Sequence, residues 1–413
     1  MARQPPALYC SGEFFSMLVA KKMVNRYDDC DMRATFANSY MGNLRNNIEQ
    51  IRSRLAPGVR LCIPVKADAY GHGAVPVAHT AVECGADYLA VAAVSEGVKL
   101  RKAGITIPIL VLSLPQPSEF TEIIERHLTP SLCDSELVRM LNVTATAMGR
   151  KVPVHLKVDT GMGRIGCTAE EAPELARLIA NSQGVRLDGV FTHFAVSDSL
   201  LPADVDYTRR QIETFRQVVS RIRQLGIEPG ICHAANSAAV LQYPESHFDM
   251  VRPGLAVYGY YPGDITEDYL NGNGGFVNLR PMMDVRSSIV AVRQVRKGES
   301  ISYGRQWVAE QDCQVGVIPA GYGDGLLRRY GESLQVTING RLYPVVGRIC
   351  MDQCMICLGT DSPVSRWDEV IIFGPKEHGA LQSAQDIADK AGTISYEITC
   401  GIDQRVPRVY RDE

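Results

Sequence analysis

Leu61-Cys-Ile-Pro-Val-Lys66 is followed, after a short loop, by Ala74-Val-Pro-Val-Ala-His-Thr-Ala-Val-Glu-Cys84 and then by Tyr88-Leu-Ala-Val-Ala-Ala-Val94. The first and third stretches are short and apolar, as buried strands are, whereas the second has the longer amphipathic pattern of a helix. A strand, a helix and a strand in this order predict a βαβ unit with parallel strands. This unit decides the fold because the same alternation continues to about residue 260.

Eight strand-like runs lie between residues 60 and 260. The predicted strands are Leu61–Lys66, Tyr88–Val94, Ile107–Leu112, Thr129–Cys133, Val152–Asp159, Leu187–His193, Gly230–His233 and Met250–Tyr258. The predicted helices between them are Ala74–Cys84, Glu96–Ala103, Pro117–Glu125, Ser135–Met148, Ala169–Ala180 and Tyr207–Leu225. Eight strands that alternate with helices over about 200 residues match the size of a (β/α)8 TIM barrel. A doubly wound parallel sheet is the alternative interpretation.

The pattern changes after about residue 275, where β-rich segments replace the alternation. The predicted strands there are Val285–Val292, Gln314–Ile318, Leu334–Val336, Arg341–Val346 and Glu369–Phe373. Asn339-Gly340 between two of them predicts a hairpin turn, and Ser383–Ala391 is the one predicted helix. These patterns predict an α/β protein, with an N-terminal (β/α)8 TIM barrel and a C-terminal mostly-β domain.

The predicted domain boundaries divide the chain into three parts. Residues 1–31 form an N-terminal extension of unknown role, 32–270 the barrel and 271–413 the β-rich C-terminal domain. Residues 32–45 are a candidate for pairing with the C-terminal domain. A glycine-rich loop between about 260 and 280 joins the two domains.

The composition excludes several classes of protein. With 413 residues, 46% hydrophobic and 22% charged, the chain is long enough for two or three globular domains. Its 43 Lys and Arg nearly balance its 46 Asp and Glu, so it has no basic surplus for nucleic acid. No apolar run reaches the ~18–20 residues that span a bilayer, and Phe14–Ala20 is too short for a signal peptide. We therefore expect a cytoplasmic protein that binds neither membrane nor nucleic acid.

The 12 cysteines are spread through a long chain, unlike those of a compact disulfide-rich scaffold. Cys350, Cys354 and Cys357 have a spacing that some iron–sulfur enzymes use. The apolar residues between them favour a buried strand in which the thiols only pack. We expect free thiols and no metal site.

Gly161-Met-Gly-Arg-Ile-Gly166 matches the Gly-x-Gly-x-x-Gly pattern of dinucleotide-binding loops, and Asp188 lies at about the right distance for a ribose contact. However, the preceding strand is the fifth of its series, whereas a dinucleotide-binding half opens with this loop. Arg164 also lies inside the loop, where its side chain can hold an anion. The nucleotide interpretation is therefore the weaker one.

The strand that ends at Val65 continues as Lys66-Ala-Asp-Ala-Tyr-Gly-His-Gly73. A lysine at the carboxyl end of a barrel strand faces the side on which TIM barrels place active sites. Desolvation there lowers the pKa of its amine, which can then react with a carbonyl group. The alternative is a strand-end lysine that only reaches into solvent.

This lysine motif resembles the pyridoxal-phosphate lysine motif of alanine racemases, and further motifs of that family follow in order. They are Lys157–Arg164, Thr192–Ala195, Ala235–Ala238, Arg252–Gly254, Tyr303–Arg305, Gly321–Gly325, Gly347–Gln353 and Thr393–Glu397. The resemblance extends from about Met32 to Tyr410. It implies a (β/α)8 barrel followed by a β-rich domain, in agreement with the division above.

The resemblance also implies a reaction, the interconversion of L-alanine and D-alanine, a peptidoglycan precursor. Lys66 would attach to pyridoxal 5'-phosphate, which withdraws electrons from the substrate. Racemisation exchanges a proton on both faces of the substrate, so Lys66 would work on one face and Tyr303 of the partner subunit on the other. A tyrosine needs cationic or hydrogen-bonding neighbours for this task. The implied assembly is a homodimer with shared active sites.

The remaining roles come from the same resemblance. The implied cofactor-binding residues are Lys66, Tyr70, His193, Asn236, Ser237, Arg252, Gly254, Leu255 and Tyr396. Arg164 and Met351 would bind the substrate, with Lys157, Asp352 and Tyr322 in support. Lys157 corresponds to a lysine that is carbamylated in many family members, and the sequence leaves open whether it is carbamylated here.

The sequence departs from the family's pattern in two places, and three alternative functions remain. The strand that opens the family's domain reads Thr35-Phe-Ala-Asn-Ser-Tyr40 here, and residues 1–31 have no counterpart. Cys350 near the substrate leaves serine or broad amino-acid racemisation as the alternative to alanine. A decarboxylase needs no second base, and a non-catalytic pyridoxal-phosphate carrier lacks the C-terminal domain, so both are weaker.

Overall fold

The computed structural model describes residues 33–331 and 333–413. The interpretations of residues 1–31 and of Phe14–Ala20 lie outside these described residues. The described chain opens with strand β1 (Phe36–Tyr40) and helix α1 (Met41–Arg52), and then enters the barrel.

Eight parallel strands form a closed barrel, and helices connect them. The strands are β2 (Arg60–Pro64), β3 (Tyr88–Val91), β4 (Ile109–Val111), β5 (Thr129–Leu132), β6 (Val152–Lys157), β7 (Val185–Phe191), β8 (Ile231–His233) and β9 (Met250–Val251). The helices are α2 (Ala74–Glu83), α3 (Val94–Lys102), α4 (Phe120–Glu125), α5 (Ser135–Ala147), α6 (Ala172–Ala180), α7 (Pro202–Gln224) and α8 (Ser237–Gln242). The predicted TIM barrel is confirmed.

Several strands end earlier than predicted because their last residues turn away into loops. The clearest case is the predicted strand Met250–Tyr258, which stops at Val251 and continues as a short 3₁₀ turn over Leu255–Tyr258. Pro253 lacks a backbone N–H and cannot extend the ladder of hydrogen bonds. These loops stand at the carboxyl end of the barrel, where they shape the cavity described below.

An apolar layer fills the barrel beneath that cavity. Its members come from five strands and are Cys62, Tyr88, Ala90, Leu110, Ile231 and Met250. Each is at most 8% exposed. The barrel is therefore a packed core that closes the floor of the cavity.

The C-terminal domain is built on a nine-stranded sheet. Its elements are α9 (Glu267–Gly272), β10 (Met283–Ser288), β11 (Ala291–Val295), β12 (Ser300–Ile301), β13 (Trp307–Val308), β14 (Cys313–Ile318), β15 (Gln335–Ile338), β16 (Arg341–Val346), β17 (Cys354–Gly359), β18 (Glu369–Phe373), α10 (Ala384–Ala391), α11 (Ser395–Cys400) and β19 (Arg408–Arg411). The strand order is β11-β14-β17-β16-β15-β18-β10-β1-β19. The prediction of a mostly-β domain is confirmed, and its hairpin at Asn339-Gly340 joins β15 to β16.

The sheet includes strands from both ends of the chain. β1 pairs antiparallel with β10 and parallel with β19, so residues before the barrel complete the sheet that follows it. The predicted strand Val285–Val292 is two strands, because β10 pairs with β18 whereas β11 pairs with β14. Helix α11 was not predicted, and α9 lies across the predicted boundary at residue 270. No helix in the described ranges is long and apolar enough to cross a membrane.

Candidate active site

A cavity of about 470 Å³ lies at the carboxyl ends of the barrel strands. Eleven of the predicted site residues line it: Lys66, Tyr70, Lys157, Arg164, His193, Asn236, Ser237, Arg252, Gly254, Leu255 and Tyr396. Ten come from the barrel, and Tyr396 comes from α11 of the C-terminal domain. The other four predicted residues lie elsewhere and are described below.

The backbone after Lys66 makes a left-handed helical turn. The angle φ lies between 50° and 56° at all four residues from Ala67 to Tyr70. A left-handed conformation costs an L-residue roughly 1–2 kcal/mol, so about 4–8 kcal/mol must be offset by contacts around this turn. Strain of this kind is found at functional sites.

Two side chains hold the strained turn in place. The carboxylate of Glu96, in the first turn of α3, accepts a 2.6 Å hydrogen bond from the amide of Ala67. The Nδ1–H of His72, which is fully buried, donates to the carbonyl oxygens of Ala69 at 2.9 Å and Tyr70 at 3.0 Å. Both contacts fix the backbone that presents the lysine.

The C-terminal domain packs closely against the same turn. A Cβ atom on Gly71 would lie 2.1 Å from the carbonyl oxygen of Thr399, and one on Gly73 would lie 2.1 Å from the hydroxyl of Tyr410. Arg408 donates from Nε to the carbonyl oxygen of Gly71 at 2.9 Å. The two glycines therefore allow a close approach of the domains that a side chain would prevent.

The cavity collects positive charge. Its lining includes Lys66, Lys157, Arg164 and Arg252, and among the described residues Asp198 is the one acidic member. Burial lowers the pKa of the Lys66 amine, and the Arg164 guanidinium lowers it further. Burial also lowers the pKa of Lys157 well below its ordinary value, with Arg252 adding to the effect. Such a cavity favours anionic groups and neutral amines.

The barrel accepts three of the five N–H donors of Arg252. Its guanidinium donates to Nδ1 of His233 at 2.7 Å and to the carbonyl oxygens of Thr192 at 2.7 Å and Ala234 at 3.0 Å. The resemblance implied His193 and Arg252 as cofactor-binding residues, but the histidine that is hydrogen-bonded to Arg252 is His233, which was missed. No family motif quoted above surrounds His233, and its position at the end of β8 is the signal that points to it.

The loop Gly161–Gly166 is organised by Asp159. The carboxylate of Asp159 accepts hydrogen bonds from three loop amides, at 2.8 Å from Gly161, 2.9 Å from Met162 and 2.9 Å from Gly163. Burial opposes ionisation of this carboxyl, but the three amides outweigh it and hold its pKa below the usual range. These amides are not available for a pyrophosphate, so the dinucleotide interpretation is wrong.

Asn236 and Ser237 shape the rim opposite Lys66. Oδ1 of Asn236 accepts from the amide of Ala239 at 3.0 Å and from the hydroxyl of Ser197 at 2.9 Å, so it caps α8. The hydroxyl oxygen of Ser237 accepts from the amide of Ala256 at 3.2 Å. The side-chain NH₂ of Asn236 and the hydroxyl hydrogen of Ser237 remain as donors.

Tyrosine rings and a glycine complete this rim. The ring of Tyr70 packs against Tyr258, with centroids 4.6 Å apart, and against Tyr396 at 5.7 Å. A Cβ atom on Gly254 would lie 2.6 Å from the Tyr70 hydroxyl. Gly254 therefore leaves room for that hydroxyl beside the amide of Leu255.

The other four predicted residues lie together on the C-terminal domain. We call residues 302–305, 321–324 and 348–353 the C-terminal loop cluster. The hydroxyl of Ser302 in the first loop donates to the carbonyl oxygen of Arg348 in the third at 2.6 Å. Two amides of the second loop donate to carbonyl oxygens of the third at 2.9 Å. The three loops therefore form one surface.

Tyr303, Tyr322 and Met351 project from this cluster into solvent, with exposed fractions of 68%, 38% and 53%. Asp352 is held by a 2.7 Å ion pair with Arg405. None of these residues belongs to the lining of the cavity in the same chain. A group of exposed large side chains on one surface is typical of sites that contact another molecule.

The three clustered cysteines do not converge. Cys354 lies in the main core and is 1% exposed, Cys357 packs against a separate apolar cluster, and Cys350 lies beside Ser302. Burial raises the pKa of Cys354 to about 12. Among the residues that the structure describes, no group of three or more His, Cys, Asp or Glu side chains can hold a metal ion.

Comparison with known proteins identifies the family. The family model for the alanine racemase N-terminal domain matches residues 40–262, and the model for the alanine racemase C-terminal domain matches residues 282–410. The chain belongs to the alanine racemase family. It is 48% identical to the alanine racemase of Treponema denticola over 384 residues, 92% of this chain and 99% of that protein. It is 43% identical to the alanine racemase of Symbiobacterium thermophilum over 382 residues, 92% and 98% of the two chains.

Solved structures of this family have the same fold. The alanine racemase of Clostridium difficile 630 superposes with a TM-score of 0.86 at 37% identity, covering 93% of this chain and 98% of that one. The alanine racemase of Bacillus anthracis with bound L-Ala-P superposes with a TM-score of 0.84 at 33% identity, covering 92% and 96%. The similarity covers both domains.

Proposed function

We propose that this chain is a pyridoxal-phosphate-dependent alanine racemase with two catalytic bases, Lys66 and the partner subunit's Tyr303. The observation that carries the proposal is the separation of the predicted residues within one chain. Lys66 lines the barrel cavity, whereas Tyr303 and Met351 stand exposed on the other domain. Relatives named alanine racemase that match over nearly their whole length support the same reaction.

The residues of the cavity fit pyridoxal phosphate. Tyr70, Ser237 and Tyr396 offer hydroxyl groups at the rim, and the amides of Gly254 and Leu255 donate to no acceptor in the described part of the chain. These donors, in a cavity rich in cationic side chains, suit a phosphate group. When bound, the cofactor supplies an electron sink that makes the α-proton of an amino acid removable.

Lys66 would hold the cofactor and act as the base on one face of the substrate. A lysine can accept a proton only as the neutral amine, and the lowered pKa of Lys66 enlarges that neutral fraction. The strained turn that follows fixes the direction of its side chain. These features separate Lys66 from a lysine that merely reaches into solvent.

Arg252 would face the pyridine nitrogen of the cofactor. A guanidinium donates hydrogen bonds and accepts none, so it leaves that nitrogen unprotonated. Burial lowers the pKa of Arg252 to about 10, which still leaves it charged at neutral pH. Burial and the nearby Arg252 also hold the pKa of His193 well below its ordinary value, so His193 would support the tyrosine as a neutral imidazole.

Arg164 would bind the substrate carboxylate at the mouth of the cavity. Asp159 shapes the loop that carries Arg164. Lys157 lies at the end of β6, the strand that leads into this loop, and its amine is 4.5 Å from the ring centroid of Phe191. Among the described residues no carboxylate forms an ion pair with Lys157. A buried amine whose pKa is lowered by burial and by two arginines suits carbamylation, which would supply the missing negative charge and orient Arg164.

The second base and the amide of Met351 would come from a second copy of the chain in a homodimer with two shared sites. Tyr303 follows Ser302, whose φ of 64° is left-handed, and strain at a non-glycine residue is typical of functional turns. The exposed C-terminal loop cluster would cover the partner's cavity and exclude water. We further infer a cytoplasmic enzyme without nucleic-acid or membrane partners.

The test of this function is a substrate panel analysed by chiral chromatography. The chain, loaded with pyridoxal phosphate, is expected to convert L-alanine to a racemic mixture faster than L-serine or other amino acids. Faster turnover of serine would support the alternative, a serine or broad-specificity racemase. No racemisation of any amino acid would contradict the proposal.

Variants assign the reaction to the site. After unbound pyridoxal phosphate is removed, Lys66→Ala is expected to lack both the visible absorption of lysine-linked cofactor and racemisation. Lys151→Ala, on the exposed surface at the opposite end of β6, is expected to change neither. Racemisation by Lys66→Ala at the wild-type rate would show that Lys66 is not the base.

A further inference from the structure

A chain of hydrogen bonds continues from Arg252 into the interior of the barrel. Nη1 of Arg252 lies 2.7 Å from Nδ1 of His233, and Nε2 of His233 lies 2.8 Å from Nδ1 of His155. Both histidines are fully buried. The function proposed above uses Arg252 but gives no role to His155.

Arg252 fixes the direction of every hydrogen bond in this chain. Its guanidinium only donates, so Nδ1 of His233 must accept. The proton of neutral His233 therefore sits on Nε2 and is donated to Nδ1 of His155. His155 in turn carries its own proton on Nε2. Burial keeps both imidazoles neutral, lowering the pKa of His155 to about 4 and that of His233 well below its ordinary value.

The neighbouring strand is built to accommodate the ring of His155. The pairing of β6 with β7 shifts register between Val154 and His155, which places His155 opposite Gly189. A Cβ atom on Gly189 would lie 2.7 Å from Cε1 and 2.8 Å from Nδ1 of His155. The same Cβ atom would lie 2.7 Å from the carbonyl oxygen of Ile231. The φ of Gly189 is not left-handed, so space for the imidazole and for this carbonyl, and not backbone conformation, requires glycine here.

Packing alone does not explain a histidine at this position. Nε2 of His155 is buried and has no hydrogen-bond partner among the described residues. The ring centroid of Tyr88 lies 6.1 Å from that of His155, and the Tyr88 hydroxyl donates to Asp188. A buried unpaired N–H costs about 1–3 kcal/mol, which an apolar side chain of similar volume would avoid.

We propose that His155 is a positioning residue for Arg252, because its Nδ1 accepts the Nε2–H of His233 and so holds the imidazole that orients the guanidinium. The chain ends without a carboxylate, so the positive charge of Arg252 is not neutralised from below. This inference rests on the proposed function, in which Arg252 faces the cofactor.

Three variants separate positioning from packing. His155→Leu keeps a similar volume but removes the acceptor. His155→Asn keeps an acceptor oxygen at the position of Nδ1 and serves as the conservative rescue. Leu110→Met changes the same apolar layer without touching the hydrogen-bonded chain, and it is the matched control.

The first measurement needs no activity. In ¹⁵N spectra of the cofactor-free chain with labelled histidine, His233 is expected to be protonated on Nε2 with a hydrogen-bonded proton in the wild type and in His155→Asn. His155→Leu is expected to lose that hydrogen-bonded signal. A His233 protonated on Nδ1 in the wild type would overturn the assignment.

The second measurement is the kinetics of the loaded enzyme. His155→Leu is expected to lower kcat about tenfold with KM for alanine within about twofold, because a misplaced guanidinium weakens chemistry more than substrate binding. Partial recovery in His155→Asn and wild-type kinetics in Leu110→Met are expected. Wild-type kcat in His155→Leu would overturn the positioning role. Absence of racemisation in the wild type would instead refute the proposed function. The spectra would still test the hydrogen bonds of His233 and His155, because they need no activity.

Discussion

Replacement of Gly71 by alanine tests whether the C-terminal domain controls the turn that presents Lys66. Gly71 has a φ of +87°, and a Cβ atom there would lie 2.1 Å from the carbonyl oxygen of Thr399. Gly104, at the end of α3, has a φ of +86° with nothing within 4 Å of its Cβ position. The two alanine variants share the backbone strain, and only Gly71→Ala adds the clash.

The expected magnitudes follow from this difference. The left-handed backbone costs each alanine variant roughly 1–2 kcal/mol. Cβ contacts below 3.0 Å are essentially never observed, so Gly71→Ala must move the carbonyl of Thr399 or the lysine turn by about 1 Å. Overpacking of this kind adds about 1–3 kcal/mol, and a 1 Å displacement at a reacting group can lower the rate about 100-fold.

The assays are urea unfolding, titration with pyridoxal phosphate followed by absorbance, and racemisation of alanine. Gly104→Ala is expected to lose only the strain energy and to keep cofactor affinity and kcat. Gly71→Ala is expected to lose more stability and most of its racemisation. Equal stability and equal activity in the two variants would refute the claim that contact with Thr399 holds the lysine turn.

Three further predictions test other parts of the account. Asp159→Ala is expected to raise KM for alanine more than it lowers kcat, because the loop that carries Arg164 loses its three amide contacts; an unchanged KM would contradict this. The pKa of His155 is about 4 in the folded chain and about 6.5 in the unfolded chain. The contribution of this neutral imidazole to the free energy of unfolding is therefore complete above pH 6.5 and is lost as the pH falls toward 4. At pH 5 this loss is about 2 kcal/mol. In urea titrations, the free energy of unfolding should therefore fall between pH 7 and pH 5 by about 2 kcal/mol less in His155→Asn than in the wild type. Thiol alkylation followed by peptide mass spectrometry should modify the exposed Cys400 in the folded protein and Cys354 only after unfolding; early modification of Cys354 would contradict its burial.

The barrel was predictable because each of its strands is a short apolar run bounded by turn residues, and alternation with helices limits the topology. The strand order of the sheet in the C-terminal domain was less predictable. β1 precedes the barrel by sequence but pairs with β10 and β19 at the far end of the chain. Residues 32–45 were a candidate for pairing with the C-terminal domain, but local patterns do not identify the strands that β1 joins.

The candidate site was likewise predictable only in part from the sequence. Family motifs pointed to Lys66, Arg164 and Arg252, and the structure brings these residues into one cavity. The motifs gave no reason to connect Arg252 with His233 and His155, because that chain depends on inward-facing positions of three strands. The glycine pattern at residues 161–166 suggested a dinucleotide-binding loop, but the carboxylate of Asp159 accepts the hydrogen bonds of the loop amides.

In the proposed dimer, each active site combines Lys66 of one chain with the partner's Tyr303. Lys66→Ala and Tyr303→Phe chains, each inactive alone, are mixed, dissociated and reassociated, with hybrid dimers verified by distinguishable tags. Each hybrid contains one site with both bases intact. Racemisation of alanine is expected to return, at about one functional site per hybrid dimer. Verified hybrids that remain inactive would contradict it.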